Sequence, residues 1–89
     1  LMTGWHVILP EKNLKDLAKA PRQERELVLR EVNKLAENPF SWNTKKLFDT
    51  AYRRRAGNWR IIFTVDFKTN TVRVFSITRR NEKTYRGLY

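Results

Sequence analysis

Tyr52-Arg53-Arg54-Arg55-Ala56-Gly57-Asn58-Trp59-Arg60-Ile61-Ile62-Phe63-Thr64-Val65 is the stretch whose reading decides the fold. Gly57-Asn58 is a two-residue hairpin signal between two β-type runs. A two-residue loop sets Ala56 opposite Trp59 and Arg55 opposite Arg60. Side chains alternate along a strand, so Arg53, Arg55 and Arg60 share one face of the sheet. Tyr52, Trp59, Ile61, Phe63 and Val65 share the other, which reads as core. Arg54 falls on that apolar side near the strand's edge and is expected to snorkel outward. Like charges directly across a sheet destabilise it. Three arginines on one face therefore point to an anion, and guanidinium, planar and permanently charged, suits phosphate. The plainer alternative is a charged edge strand that blocks edge-to-edge pairing.

Working outward, Trp5–Leu9 alternates, with Trp5, Val7 and Leu9 on one side, and reads as a first strand ended by Pro10. Glu11–Ala20 has Leu14, Leu17 and Ala18 at helical spacing. Pro21 suits the first turn of a second helix. That helix runs to Glu37 with Leu27, Val28, Val32 and Leu35 as its apolar stripe, and Asn38-Pro39 ends it. Residues 41–50 have no clear period, and Lys45-Lys46-Leu47 reads as a short strand or a turn. Strands follow over Ala51–Ala56, Trp59–Phe67 and Thr71–Ile77. The expected class is α+β, in the order β-α-α-β-β-β: a twisted antiparallel sheet with a helical hairpin on one face and a basic surface on the other.

The chain has 89 residues, the length of one small domain. It contains no cysteine, which removes disulfides and thiolate chemistry. His6 reads as a histidine on a strand face rather than a catalytic one. No apolar run is long enough for a membrane span and no signal-peptide pattern appears, so a soluble cytoplasmic protein is expected. The net charge is +10 and uneven. Residues 1–50 hold nine Lys or Arg against seven Asp or Glu, whereas residues 51–89 hold ten against two. That asymmetry suits a nucleic acid, or an acidic protein partner.

The segment from Tyr52 to Phe63 resembles the Tyr-Arg-x-Arg-x-Gly-x-Tyr/Trp-Arg-hydrophobic pattern of the RelE/ParE superfamily of bacterial and archaeal toxins. Ile77-Thr78-Arg79-Arg80 and Tyr85 are similar to that family's final strand, its arginine and its C-terminal tyrosine. The resemblance covers nearly the whole chain and implies one toxin domain over residues 1–89. Its RelE branch implies a ribosome-dependent mRNA endoribonuclease that uses no metal or other cofactor. Its partners would be the ribosome, mRNA and a cognate acidic antitoxin, in a toxin–antitoxin hetero-oligomer with no membrane involved. The ParE branch implies instead a DNA gyrase inhibitor without nuclease chemistry. A degenerate member that only binds RNA or antitoxin is the third alternative.

The RelE resemblance assigns catalytic roles to Arg53, Arg55, Arg60, Arg80 and Tyr85, with Arg79 competing for the place of Arg80. Where RelE relatives carry lysine at the first pair, this chain has Arg53 and Arg55. Arginine stabilises phosphorane-like charge but stays protonated and is a poor base. Tyr85 is then the candidate to accept or relay the proton, its phenol acidified by neighbouring arginines. Its competing role is an aromatic packed on the sheet edge. Lys45 and Lys46, with Arg54 and Arg79, are the additional RNA-binding candidates, although the lysines read first as a solvated pair. Trp59 reads as core. Trp42 reads as a loop anchor, with base stacking as the alternative.

Overall fold

The structure, a computed structural model, describes residues 4–79. Two helices cover one face of a five-stranded sheet. The strands are β1 (His6–Ile8), β2 (Thr44–Phe48), β3 (Ala51–Ala56), β4 (Trp59–Asp66) and β5 (Thr71–Arg79). The helices α1 (Glu11–Ala18) and α2 (Arg22–Leu35) lie between β1 and β2 in the chain. The spatial strand order is β1-β5-β4-β3-β2. Residues 44–48, which showed no period, are thus an extra edge strand. The sheet is mixed rather than wholly antiparallel, because β1 runs parallel to β5. The helices carry the chain from β1 to the far edge, and the meander β2–β5 reverses three times. It therefore returns to β1 in the direction β1 already runs.

Each helix follows a proline, Pro10 or Pro21, which stands at the N-cap in extended geometry without a side-chain cap. Proline at a helix start forfeits no internal hydrogen bond. Glu24 lies in the first turn of α2 and Lys34 in its last, each complementing the helix dipole. From α2, Val28, Val32 and Leu35 are buried against Trp59, Ile61, Phe63, Val65, Val72, Val74 and Ile77 of the sheet. Trp5, Val7 and Leu9 pack on the same core. The outer edge of β5 beyond its short pairing with β1 is covered by α1. There the buried Asn13 donates from Nδ2 to the Val74 carbonyl over 3.3 Å.

The β3–β4 hairpin pairs Ala56 with Trp59 and Arg55 with Arg60, as the Gly57-Asn58 turn predicts. Gly57 has φ +62, and a Cβ there would meet Leu27 Cδ2 at 2.8 Å. The turn thus needs glycine for its backbone and for its close approach to α2. Two irregularities shift phase elsewhere: β2 is interrupted between Lys46 and Phe48, and the β4–β5 ladder between Ile62 and Phe63. The second leaves Phe75 as an extra residue on β5, the arrangement of a β-bulge.

Candidate nucleic-acid interface

The face of the sheet turned away from the helices gathers the arginines. Arg53 and Arg55 alternate along β3, Arg60 pairs with Arg55 from β4, and Lys45 pairs with Arg53 from β2. Directly paired residues share a face, so four cations occupy two adjacent rows. Paired Cα atoms lie about 5 Å apart and the rows about 7 Å apart, by ordinary sheet dimensions. Arg55 is exposed, and Arg53 and Arg60 are half-buried. Among the described residues neither Arg53 nor Arg55 has a side-chain hydrogen bond or ion pair. The donors of these two guanidiniums are therefore open to an external acceptor.

Arg54 lies on the apolar side, as its alternation predicted, but does the opposite of what its charge predicted. It is 1% exposed and does not snorkel outward. Its Nε donates to Thr44 Oγ1 (2.8 Å), and its Nη2 to the Asn38 carbonyl (2.7 Å) and Ser41 Oγ (2.7 Å). Its Nη1 donates to the Glu31 carbonyl (3.4 Å) and lies 3.9 Å from the Glu31 carboxylate. Burial pushes the guanidinium pKa down, and Glu31 partly opposes that shift. Arginine's high intrinsic pKa keeps it charged. Arg54 is thus a fastener between α2, β3 and the 38–44 loop, and its expected RNA contact is withdrawn.

That fastener shapes the loop beside the arginines. Ser41 and Thr44 close a turn through a 3.0 Å backbone hydrogen bond, with Trp42 and Asn43 at its two central positions. Asn43 locks the turn to β3: its carbonyl accepts from the Arg55 amide (3.1 Å) and its Nδ2 donates to the Arg55 carbonyl (3.1 Å). The same Nδ2 reaches the Glu31 carboxylate at 3.2 Å. Trp42, read as a loop anchor, is 94% exposed and makes no hydrogen bond or ring contact among the described residues. It borders a cleft of about 440 Å³ lined also by Asn43, Lys45, Arg53, Arg55 and Gly57, with Leu27 and Glu31 behind.

The remaining candidates separate. Lys46 pairs with Tyr52 and so lies on the helix side of the edge, away from Lys45. Arg79 pairs with Trp59, on the helix side too, and contacts Glu24 at 3.4 Å. Glu24 also accepts from Trp59 Nε1 at 2.8 Å, which confirms Trp59 as core. Arg79 thus lies off the open face. Arg80 and Tyr85 lie outside the described residues. His6 sits on β1, across the sheet from this edge. Among the described residues no group of His, Cys, Asp or Glu could hold a metal ion. Nor is any helix there long and apolar enough to cross a membrane. The arrangement offers concentrated, geometrically fixed positive charge.

Solved structures share this architecture. An archaeal RelE–RelB complex from Pyrococcus horikoshii superposes with a TM-score of 0.80 at 22% identity, covering 90% of this chain and 99% of that one. The chain has the RelE toxin fold. The RelBE2 toxin–antitoxin complex of Mycobacterium tuberculosis gives a TM-score of 0.75 at 21% identity, over 88% of this chain and 100% of that one. The isolated E. coli RelE toxin gives 0.68 at 18%, over 94% of each chain. No family model matches the sequence, and no curated protein matches it. The RelE fold thus persists here at low sequence identity.

Proposed function

We propose that this chain is the toxin of a type II toxin–antitoxin system, a single RelE-like domain acting in the cytoplasm as a ribosome-dependent, metal-independent mRNA endoribonuclease. The observation that carries the reading is the convergence of Arg53, Arg55, Arg60 and Lys45 on one open sheet face. RNA can be cleaved by its own 2′-hydroxyl if charge on the phosphorane is stabilised and protons are moved. The arginines supply the first requirement. Arg80 completes the charge and Tyr85 relays the proton in this proposal, since a guanidinium is a poor base.

An acidic antitoxin is the proposed partner in a hetero-oligomer. Several solved structures of this fold are RelE–RelB complexes, and residues 51–89 carry the excess of positive charge such a partner would neutralise. The test is cleavage of mRNA on programmed ribosomes, run beside a gyrase supercoiling assay. Site-specific cleavage without added metal supports the proposal. Intact mRNA together with blocked supercoiling would replace it by gyrase inhibition, and silence in both assays by a protein that binds without chemistry.

A further inference from the structure

Trp42 has no structural employment among the described residues. Tryptophan is among the most buried residue types on average, yet this one is 94% exposed. The turn that carries it is held by other groups: Arg54 grips Ser41 and Thr44, and Asn43 grips both backbone groups of Arg55. The indole contributes nothing to that fastening. It is a rigid aromatic plate on a turn pinned to β3, at the rim of the cleft lined by Lys45, Arg53 and Arg55. The one carboxylate that lines the cleft among the described residues, Glu31, is already engaged by Lys34, Asn43 and Arg54.

A single-stranded nucleic acid has the complementary pattern, phosphates along a backbone with flat bases beside them. Proteins that bind such strands pair a cationic groove with aromatic side chains on which bases stack. We infer that Trp42 is the stacking platform of a nucleobase subsite, taking a base of the RNA strand whose phosphates lie on Lys45, Arg53 and Arg55. The inference rests on the proposal that the open face receives RNA. It adds a residue on the 41–44 turn that the arginine pattern does not contain. At about 440 Å³ the cleft has room for a base, and its rear, where Leu27, Ala56 and Gly57 stand with the Glu31 carboxylate, suits a base better than a second phosphate, which Glu31 would repel.

The probe is a short single-stranded 2′-O-methyl oligoribonucleotide, which cannot be cleaved, compared with an abasic strand of the same length. Trp59 is buried and bonded to Glu24, and Trp5 is packed on the core, so Trp42 is the tryptophan placed to respond. Base-bearing RNA should quench its fluorescence and the abasic strand should not. Trp42→Ala should weaken binding of the base-bearing strand roughly 5- to 150-fold, the range of one base–aromatic stack. Its salt dependence should stay unchanged, because indole neutralises no phosphate. Trp42→Phe should recover much of the affinity. Equal binding by wild type and Trp42→Ala, or equal affinity for the two strands, overturns the subsite. So does a Trp42→Ala variant impaired only in antitoxin binding, which would make the indole a protein contact. The readout is binding, whereas the proposed activity fails by leaving programmed mRNA intact, so the two failures are distinguishable.

Discussion

Arg54 stands between Arg53 and Arg55 in sequence, yet the two faces of β3 put these residues to opposite uses. On the helix side, the Arg54 guanidinium is buried and spends its donors on Asn38, Ser41, Thr44 and Glu31. On the open side, Arg53 and Arg55 have no side-chain partner among the described residues, with Arg60 and Lys45 directly across the ladders. The difference is which groups surround the charge. A buried guanidinium must be satisfied by the protein, and so it organises structure. A clustered, accessible one raises the energy of the free fold and leaves its donors open to a ligand.

The largest effect should come from the inward arginine. Arg54→Ala leaves the Asn38 carbonyl, two hydroxyls and the Glu31 carboxylate short of a donor. Breaking a buried ion pair by deleting one partner costs about 3–5 kcal/mol. Arg53→Ala, on the other face, should stay within about 0.5 kcal/mol of wild type. Urea unfolding of the two variants side by side breaks the comparison if their midpoints coincide. Arg54→Lys should fall between, since an ammonium cannot reproduce the fork that reaches the loop at several points.

The arginines proposed to act on RNA should show their cost in rate instead. Arg60→Ala, and likewise Arg80→Ala, should lower cleavage of ribosome-bound mRNA by about 10²–10³, the value of one donor aimed at developing oxyanion charge. Ribosome affinity should change far less, because such a donor acts mainly in the transition state. Tyr85→Phe keeps the ring and removes only the hydroxyl. Wild-type cleavage by that variant would return Tyr85 to packing, and an equal loss of rate and affinity in Arg60→Ala would make that arginine a ground-state contact.

How much of this contrast could be read beforehand depended on range. The hairpin register was legible because Gly57-Asn58 and strict alternation are local signals, and that register alone placed Arg53, Arg55 and Arg60 together. The burial of Arg54 was not legible, since its acceptors lie 10 to 23 residues away along the chain. Strand β2 was legible only as one of two readings, a short strand or a turn, for a related reason. It is an exposed edge with an interruption, so no apolar period marks it, and its lysines protect the edge. Arg79 illustrates phase: counting by twos from Val72 and Val74 puts it outward, but the extra Phe75 turns Ile77 and Arg79 inward. Trp42 was misread because its exposure follows from the loop that Arg54 builds.

Gly57 couples the two faces, because its turn fixes the register that sorts the arginines. Gly57→Ala combines a left-handed backbone with a Cβ at 2.8 Å from Leu27 Cδ2. The expected loss is about 1–3 kcal/mol, read as a lowered thermal midpoint. If the register survives, RNA affinity measured well below that midpoint should keep its salt dependence. A flattened salt dependence would show that the turn, as well as the strands, aligns the cations.

The smallest predicted effect has the opposite sign. Arg55 and Arg60 face each other directly across β3 and β4, and like charges in that position repel. Arg55→Gln keeps a polar side chain of reduced length and removes one charge from the cluster. It should stabilise the fold by about 0.2–1 kcal/mol, the usual worth of a cross-strand pair. The gain should be greatest at low ionic strength and fade as salt shortens the screening length to ~8 Å and below. The same variant should bind RNA more weakly, with the slope of log affinity against log salt reduced by about 0.7, one phosphate contact on a single strand. Stability rising while affinity falls is the signature of a charge kept for a ligand at the fold's expense. A variant that loses stability at every salt concentration would instead place Arg55 with Arg54, as an arginine the fold itself requires.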